Sequence, residues 1–228
     1  MRIFINKDVA ARFPDLKVIV YEINNVKVEK YKATLENFKI QVYQRVREKY
    51  TLESLKDVPT FRAYRDFFWK IGVDPTKIRP AAEALIRRIL GGKSIPQINT
   101  LVDAYNLASI DTEIALAVFD MAKLEGNLEM RFATRGESFL GIGMKKPMTL
   151  NGGEVVISDR EHLVAIYPYR DAEHSKITES SKRVLLLVCG VPGLDEQTLA
   201  TAGEVALNYI TKFCTSTILE DKRVTSQT

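Results

Sequence analysis

Residues 17–23 (KVIVYEI) alternate apolar and polar positions with the two-residue period of a strand, following a helical turn over 7–13 and Pro14. From 30 to 50 the period lengthens. Leu35, Phe38, Val42 and Val46 share one helical face, while Lys39, Arg45, Arg47 and Lys49 lie mostly off it. The aromatic-rich segment 60–71 (Phe61, Tyr64, Phe67, Phe68, Trp69) reads as a helix stopped by Gly72. Pro80 suits the first turn of the next helix, AAEALIRRIL, which ends at Gly91-Gly92 with Ala84, Leu85, Ile89 and Leu90 inward. A further helix or helix-like turn follows Pro96. Beyond Asp120 the texture becomes β, with strands over 128–133, 154–158, 163–169 and 184–189 and glycines in the turns between them. Asp195 caps a last helix whose core face is Leu199, Ala202, Ala206, Tyr209 and Phe213. From Thr215 the chain reads as a polar, frayed tail. Helices first and strands later, without βαβ alternation, predict one compact α+β domain over residues 1–228.

Residues 98–120 (INTLVDAYNLASIDTEIALAVFD) carry the main exception to a simple core pattern. Leu101 and Val102 are followed at once by Asp103 and Asn106, short polar groups that an apolar element seldom holds without a hydrogen-bonding task. They are either structural staples or parts of a pocket.

Bulk properties narrow the classes. The longest apolar stretch, 184–189, is far too short to span a bilayer, and the basic N-terminus lacks the apolar region of a secretory signal. No membrane association and a cytoplasmic location are expected. Cys189 and Cys214 lie in apolar patterns and read as reduced core residues. Residues 1–100 hold 20 Lys and Arg against 11 Asp and Glu, whereas the remainder holds 13 against 18. A basic half joined to an acidic half is one signature of nucleic-acid contact, and a solvated helix surface is the other reading. Lys39, Arg45, Arg87 and Arg88 are the candidate phosphate contacts. The aromatics of 61–69 either stack bases or fill the core.

Much common chemistry has no residues to support it. No phosphate-binding glycine loop fits, since GIGMKKP has the wrong spacing, and no serine sits in a nucleophile elbow. His162 and His174 show no metal-ligand spacing, so neither a metal site nor a cofactor is expected.

Four segments, in order, resemble the B3/B4 domain of the phenylalanyl-tRNA synthetase beta subunit and its stand-alone relatives. They are YRDFFWKIGVDPTKIRPAAEALIRRIL (64–90), INTLVDAYN (98–106), FDMAKLEGNLEMRFATRGESFLGIG (119–143), and GGEVVISD (152–159) with YPYRDAEHSKIT (167–178). The resemblance implies a B3/B4-like core over 59–190, with a C-terminal helix and polar tail over 191–228. It also implies a helical N-terminal half packed on a mostly antiparallel, barrel-like sheet. It further implies a trans-editing factor that hydrolyses mischarged aminoacyl-tRNA at the terminal ribose ester, with tRNA as partner and an amino acid as ligand. The alternative is a non-catalytic amino-acid or RNA binder that keeps the fold.

By the same resemblance Asn106 matches the pocket asparagine and Asp103 the aspartate before it. Tyr105 stands where the family has threonine. Ala117 stands where the synthetase has a histidine, and its late pocket glutamate falls near Leu186 or Leu187, so tyrosine specificity is not carried over. With Glu137, Arg131 and Arg170 added from their own polar surroundings, Asn106 and Glu137 are the candidate catalytic residues, and Asp103, Tyr105, Arg131 and Arg170 the candidate substrate contacts. Each has a structural alternative. Asn106 could cap a turn, Asp103 could be a buried hydrogen-bond partner, Arg131 and Glu137 could pair with one another, and Arg170 could form a loop salt bridge. His174 could be a general base or simply an exposed loop residue.

Overall fold

The structure is a computed structural model that describes residues 1–215 in full and the backbone of 217–224 and 226–227. In chain order its elements are β1 (Ile3–Ile5), α1 (Lys7–Arg12), β2 (Val18–Asn24), α2 (Ala33–Lys49), α3 (Pro59–Lys70), α4 (Ala81–Leu90), α5 (Thr100–Thr112) and β3 (Ala115–Asp120). There follow β4 (Leu128–Phe132), β5 (Ser138–Phe139), β6 (Met148–Thr149), β7 (Val155–Ser158), β8 (Leu163–Ile166), β9 (Arg170–Asp171), β10 (Val184–Cys189), α6 (Glu196–Cys214), β11 (Thr217–Val224) and β12 (Ser226–Gln227).

The α+β class is as expected, but the sheets do not close into a barrel. One is an antiparallel four-stranded sheet of order β11-β2-β10-β3. The second has six strands in the order β12-β1-β4-β7-β8-β9, and a β5-β6 hairpin stands apart. The six-stranded sheet is not wholly antiparallel, because β1 runs parallel to both β4 and β12. The expected frayed tail instead supplies β11 against β2 and β12 against β1. Ser216, Thr225 and Thr228 lie outside the described residues.

The four-stranded sheet is central. β10 carries six consecutive buried residues and pairs with β2 on one side and β3 on the other. Strands buried on both faces read as continuous apolar runs. Helices α5 and α6 pack together, and α6 also lies against β2 and β10. Gly203 makes that approach possible, since a Cβ there would stand 2.5 Å from the Tyr21 ring.

The helix ends follow local rules. Asn99 accepts from the backbone N–H of Val102 at the start of α5, and Asp195 does the same from Thr198 at the start of α6. Gly72, at φ +77°, turns the chain after α3 while Val73 N–H returns to Phe68 O at 2.8 Å. In α4 the buried face is Ala82, Glu83, Ile86 and Ile89, rotated from the Ala84, Leu85, Ile89, Leu90 face expected. The rotation seats a carboxylate in the core. Glu83 is fully buried and is held by Arg65 and Arg87.

Candidate functional site

Two depressions lie on either side of the β7-β8-β9 end of the six-stranded sheet. Successive strand residues point to opposite faces, so Ile157 lines one and Ser158 the other.

The first is a partly open cavity of about 150 Å³ between the two sheets. Tyr105 and Asn106 enter it from α5, Leu116, Ala117 and Phe119 from β3, and Leu187 and Cys189 from β10. Ile157, Ala165 and the 166–171 stretch close the far side. Ala117 and Leu187 are direct cross-strand partners, so they fall on the same face of the sheet and form one apolar wall. Of the two late positions singled out by the sequence, Leu187 and not Leu186 lines the cavity, opposite Ala117.

Asp171 gives the cavity its charge. Burial pushes its carboxyl up to about 7, and its field raises the titration of both Tyr105 and Cys189, whose burial already does so. Beside it the aliphatic stem of Arg170 lies against Gly141, which has no Cβ to obstruct it. From the sequence, Arg170 takes a role and Asp171 is only its neighbour in a polar loop. Nothing in the local pattern tells an exposed loop carboxylate from one folded against a core thiol.

The second depression is an open cleft of about 530 Å³. Arg131 and Glu137 lie here and not with Asn106. Their bidentate pair has N–O distances of 3.0 and 2.7 Å, Thr134 N–H donates to Glu137, and Arg131 Nε donates to Ser158 Oγ at 3.2 Å. The guanidinium holds the Glu137 carboxyl below its ordinary range. Its oxygens are thus engaged in holding the 131–137 corner together, which is the structural alternative anticipated for the pair. His162 and His174 border the same cleft with ring centroids 4.8 Å apart. Burial, and then the neighbouring His162, keep His174 below the usual imidazole value.

The remaining candidates divide by burial. Asp103 points away from the cavity, accepting from Lys39 Nζ at 2.7 Å and from Ile98 N–H at 3.0 Å. Asp103 and Lys39, expected as a substrate contact and a phosphate contact, instead join α5 to α2 out of solvent, 1% and 3% exposed. Arg87 is bound to Glu83 within the fold, and Arg88 Nε donates to Ser94 O. Arg45 pairs with Asp111 but stays half-exposed along an open groove that Lys49, Tyr209 and Lys212 also line. Of the α3 aromatics, Phe61, Tyr64, Phe67 and Phe68 are core and only Trp69 is exposed. No helix among the described residues is long and apolar enough to cross a membrane.

Comparison with known proteins bears on the part of the chain that forms this cavity. A family model described as the B3/4 domain matches residues 63–215. The phenylalanine–tRNA ligase beta subunit of Brucella abortus (strain 2308) is 38% identical over 89 residues, 39% of this chain and 11% of that protein. The beta subunit of Bartonella henselae is 31% identical over 106 residues, 46% of this chain and 13% of that protein. The chain therefore spans only about an eighth of the length of these relatives or less. In structure, an N-terminal fragment of the phenylalanyl-tRNA synthetase beta subunit from Pyrococcus horikoshii aligns with 99% of this chain and 54% of its own, at a TM-score of 0.52 and 11% identity. That likeness is one of fold.

Proposed function

We propose that this chain, which belongs to the B3/4 domain family, is a deacylase that acts in trans on mischarged aminoacyl-tRNA in the cytoplasm. The observation that carries the reading is the small cavity where Asn106, Tyr105, Arg170 and Asp171 meet an apolar wall. At about 150 Å³ it suits a single amino-acid side chain, well below the ~300 Å³ at which pockets for larger ligands begin. The ribose and phosphates would stay outside it.

In this reading the apolar wall of Ala117 and Leu187 receives the side chain, and Asn106 orients the ester carbonyl. Arg170 meets the terminal phosphate. Asp171, with a carboxyl near 7, is suited to accept a proton from the attacking water at neutral pH. The ester is already activated, so orientation and a weak base supply much of what hydrolysis needs. The groove beside Arg45, Lys49 and Lys212 offers cations for the tRNA backbone.

A second reading, a binder of amino acid or RNA without turnover, is favoured by the apolar residues at 117 and 187. A panel of aminoacyl-tRNAs, each followed for release of the amino acid, separates the two. Hydrolysis of at least one, slowed in Asn106→Ala and in Asp171→Asn, supports the deacylase. Thermal stabilisation by an amino acid with no release from any member of the panel supports the binder.

A further inference from the structure

We propose that Asp159, His162 and His174 form a binding site for a divalent transition-metal ion of the zinc class, on the face of the six-stranded sheet away from the cavity. One ligand atom from each of the three lies within 4.8 Å of the others. Their convergence follows from strand register. Ala165 pairs with Asp171, and Ala172 N–H reaches Val164 O at 2.9 Å. Extending that antiparallel ladder places position 162 opposite position 174. Asp159 joins them through the β7-β8 turn, where its own N–H donates to His162 O at 3.0 Å.

The three side chains differ in how firmly they are set. The Asp159 carboxylate is fixed by three backbone donors, the N–H groups of Glu161, His162 and Glu125, at 2.8, 2.7 and 2.9 Å. Outer hydrogen bonds of this kind hold a carboxylate ligand in a fixed orientation. His174 Nε2 is buried and has no hydrogen-bond partner, a condition that buried polar atoms rarely keep unless something else fills the place. His162 is 54% exposed at its side chain, with Nδ1 3.8 Å from Asp159 Oδ1. Zinc–nitrogen and zinc–oxygen bonds of about 2.0–2.2 Å bring tetrahedral ligands to roughly 3.4 Å apart. Side-chain rotation brings the ligand atoms in from their present separation of up to 4.8 Å. The fourth position then faces the open cleft, where a water or an anionic oxygen completes the set.

Bound metal would tie the β7-β8 turn to the segment after β9. The site stands apart from the cavity and does not depend on the deacylase reading, so its test reads metal directly. The full chain, stripped with EDTA and desalted, is titrated with zinc chloride by calorimetry, and with cobalt chloride by visible absorption. One zinc per chain at micromolar affinity or tighter is expected, with the intense visible bands of tetrahedral cobalt and a raised Tm. His162→Ala, at an exposed position, should keep the fold by circular dichroism and weaken binding at least ~10-fold. His174→Ala should weaken it as much, and Asp159→Asn less. Binding only at millimolar zinc, or stoichiometric binding unchanged in a His162→Ala/His174→Ala double variant, would overturn the proposal.

Discussion

The ammonium of Lys39 donates to Oδ2 of Asp103 at 2.7 Å, and both side chains are almost wholly excluded from solvent. Burial alone would lower the lysine's pKa, but Asp103 and Glu36 hold it above the ordinary value. Removing one partner of such a pair leaves an uncompensated buried charge. Lys39→Met is therefore expected to destabilise the fold by about 3–5 kcal/mol, and Lys39→Met/Asp103→Leu by much less. Urea denaturation of the three proteins measures the difference. Equal losses in single and double variants would show that the pair is not coupled.

Asp171 ties stability to pH in the opposite sense from a salt-bridged carboxylate. Its folded value near 7 lies above the ~3.9 of an unfolded aspartate. Between those values the unfolded chain has released its proton while the folded chain retains it. Stability is thus fully present below pH 4 for this group and is lost as pH rises toward 7. The loss is at most roughly 4 kcal/mol before water reaching the cavity screens it. Asp171→Asn should abolish this slope, raise Tm at pH 8 more than at pH 5, and slow any deacylation. A pH-independent gain in Tm would remove the argument for a perturbed carboxyl.

Gly141 should matter to the site more than to the fold. A Cβ at this position would stand 2.6 Å from Cδ and 2.8 Å from Cγ of Arg170. The arginine stem is flexible and can yield, so Gly141→Ala should cost under ~1 kcal/mol of stability. On the deacylase reading it should nevertheless displace the guanidinium at the cavity mouth and raise KM for aminoacyl-tRNA more than it lowers kcat. Unaltered kinetics would mean that Arg170 does not meet the substrate.

Arg87 is expected to act on stability and not on RNA. Its Nε lies 2.6 Å from the fully buried Glu83 carboxylate, which Arg65 also holds. Arg87→Gln should lower Tm while leaving the salt dependence of tRNA binding unchanged, because a phosphate contact would reduce that slope by about one. Arg45→Gln, on the open groove, should do the reverse.

Much of this protein is written locally. The 3.6-residue period of residues 30–50 and the aromatic segment ending at Gly72 correspond to α2 and α3, and the cap at Asp195 opens α6. The apolar runs correspond to β2, β4, β7 and β10. Periodicity and capping are properties of neighbouring residues, so one chain suffices to read them. Short β1 carries too few residues for a pattern, and β11 and β12 are polar. All three form because a partner strand waits for them, and that is non-local.

The candidate site divides along the same line. The resemblance carried by the order of segments implied a pocket near Asn106, Ala117 and residue 186 or 187. Which polar groups share that cavity could not be inferred from it. Asp103 and Asn106 are only three residues apart, yet one helix turns the first toward Lys39 and the second toward Arg170 and Asp171. Arg131 went to the other face of the sheet through a strand's two-residue alternation, and Glu137 joins it there from the turn before β5. Register alone set His162 across from His174. The sequence by itself determined the main helices and the apolar strands, the family and the neighbourhood of the cavity, since those rest on local period and segment order. Only the tertiary structure decided which charges are buried against each other and which face a ligand, because burial and pairing depend on residues distant in the chain.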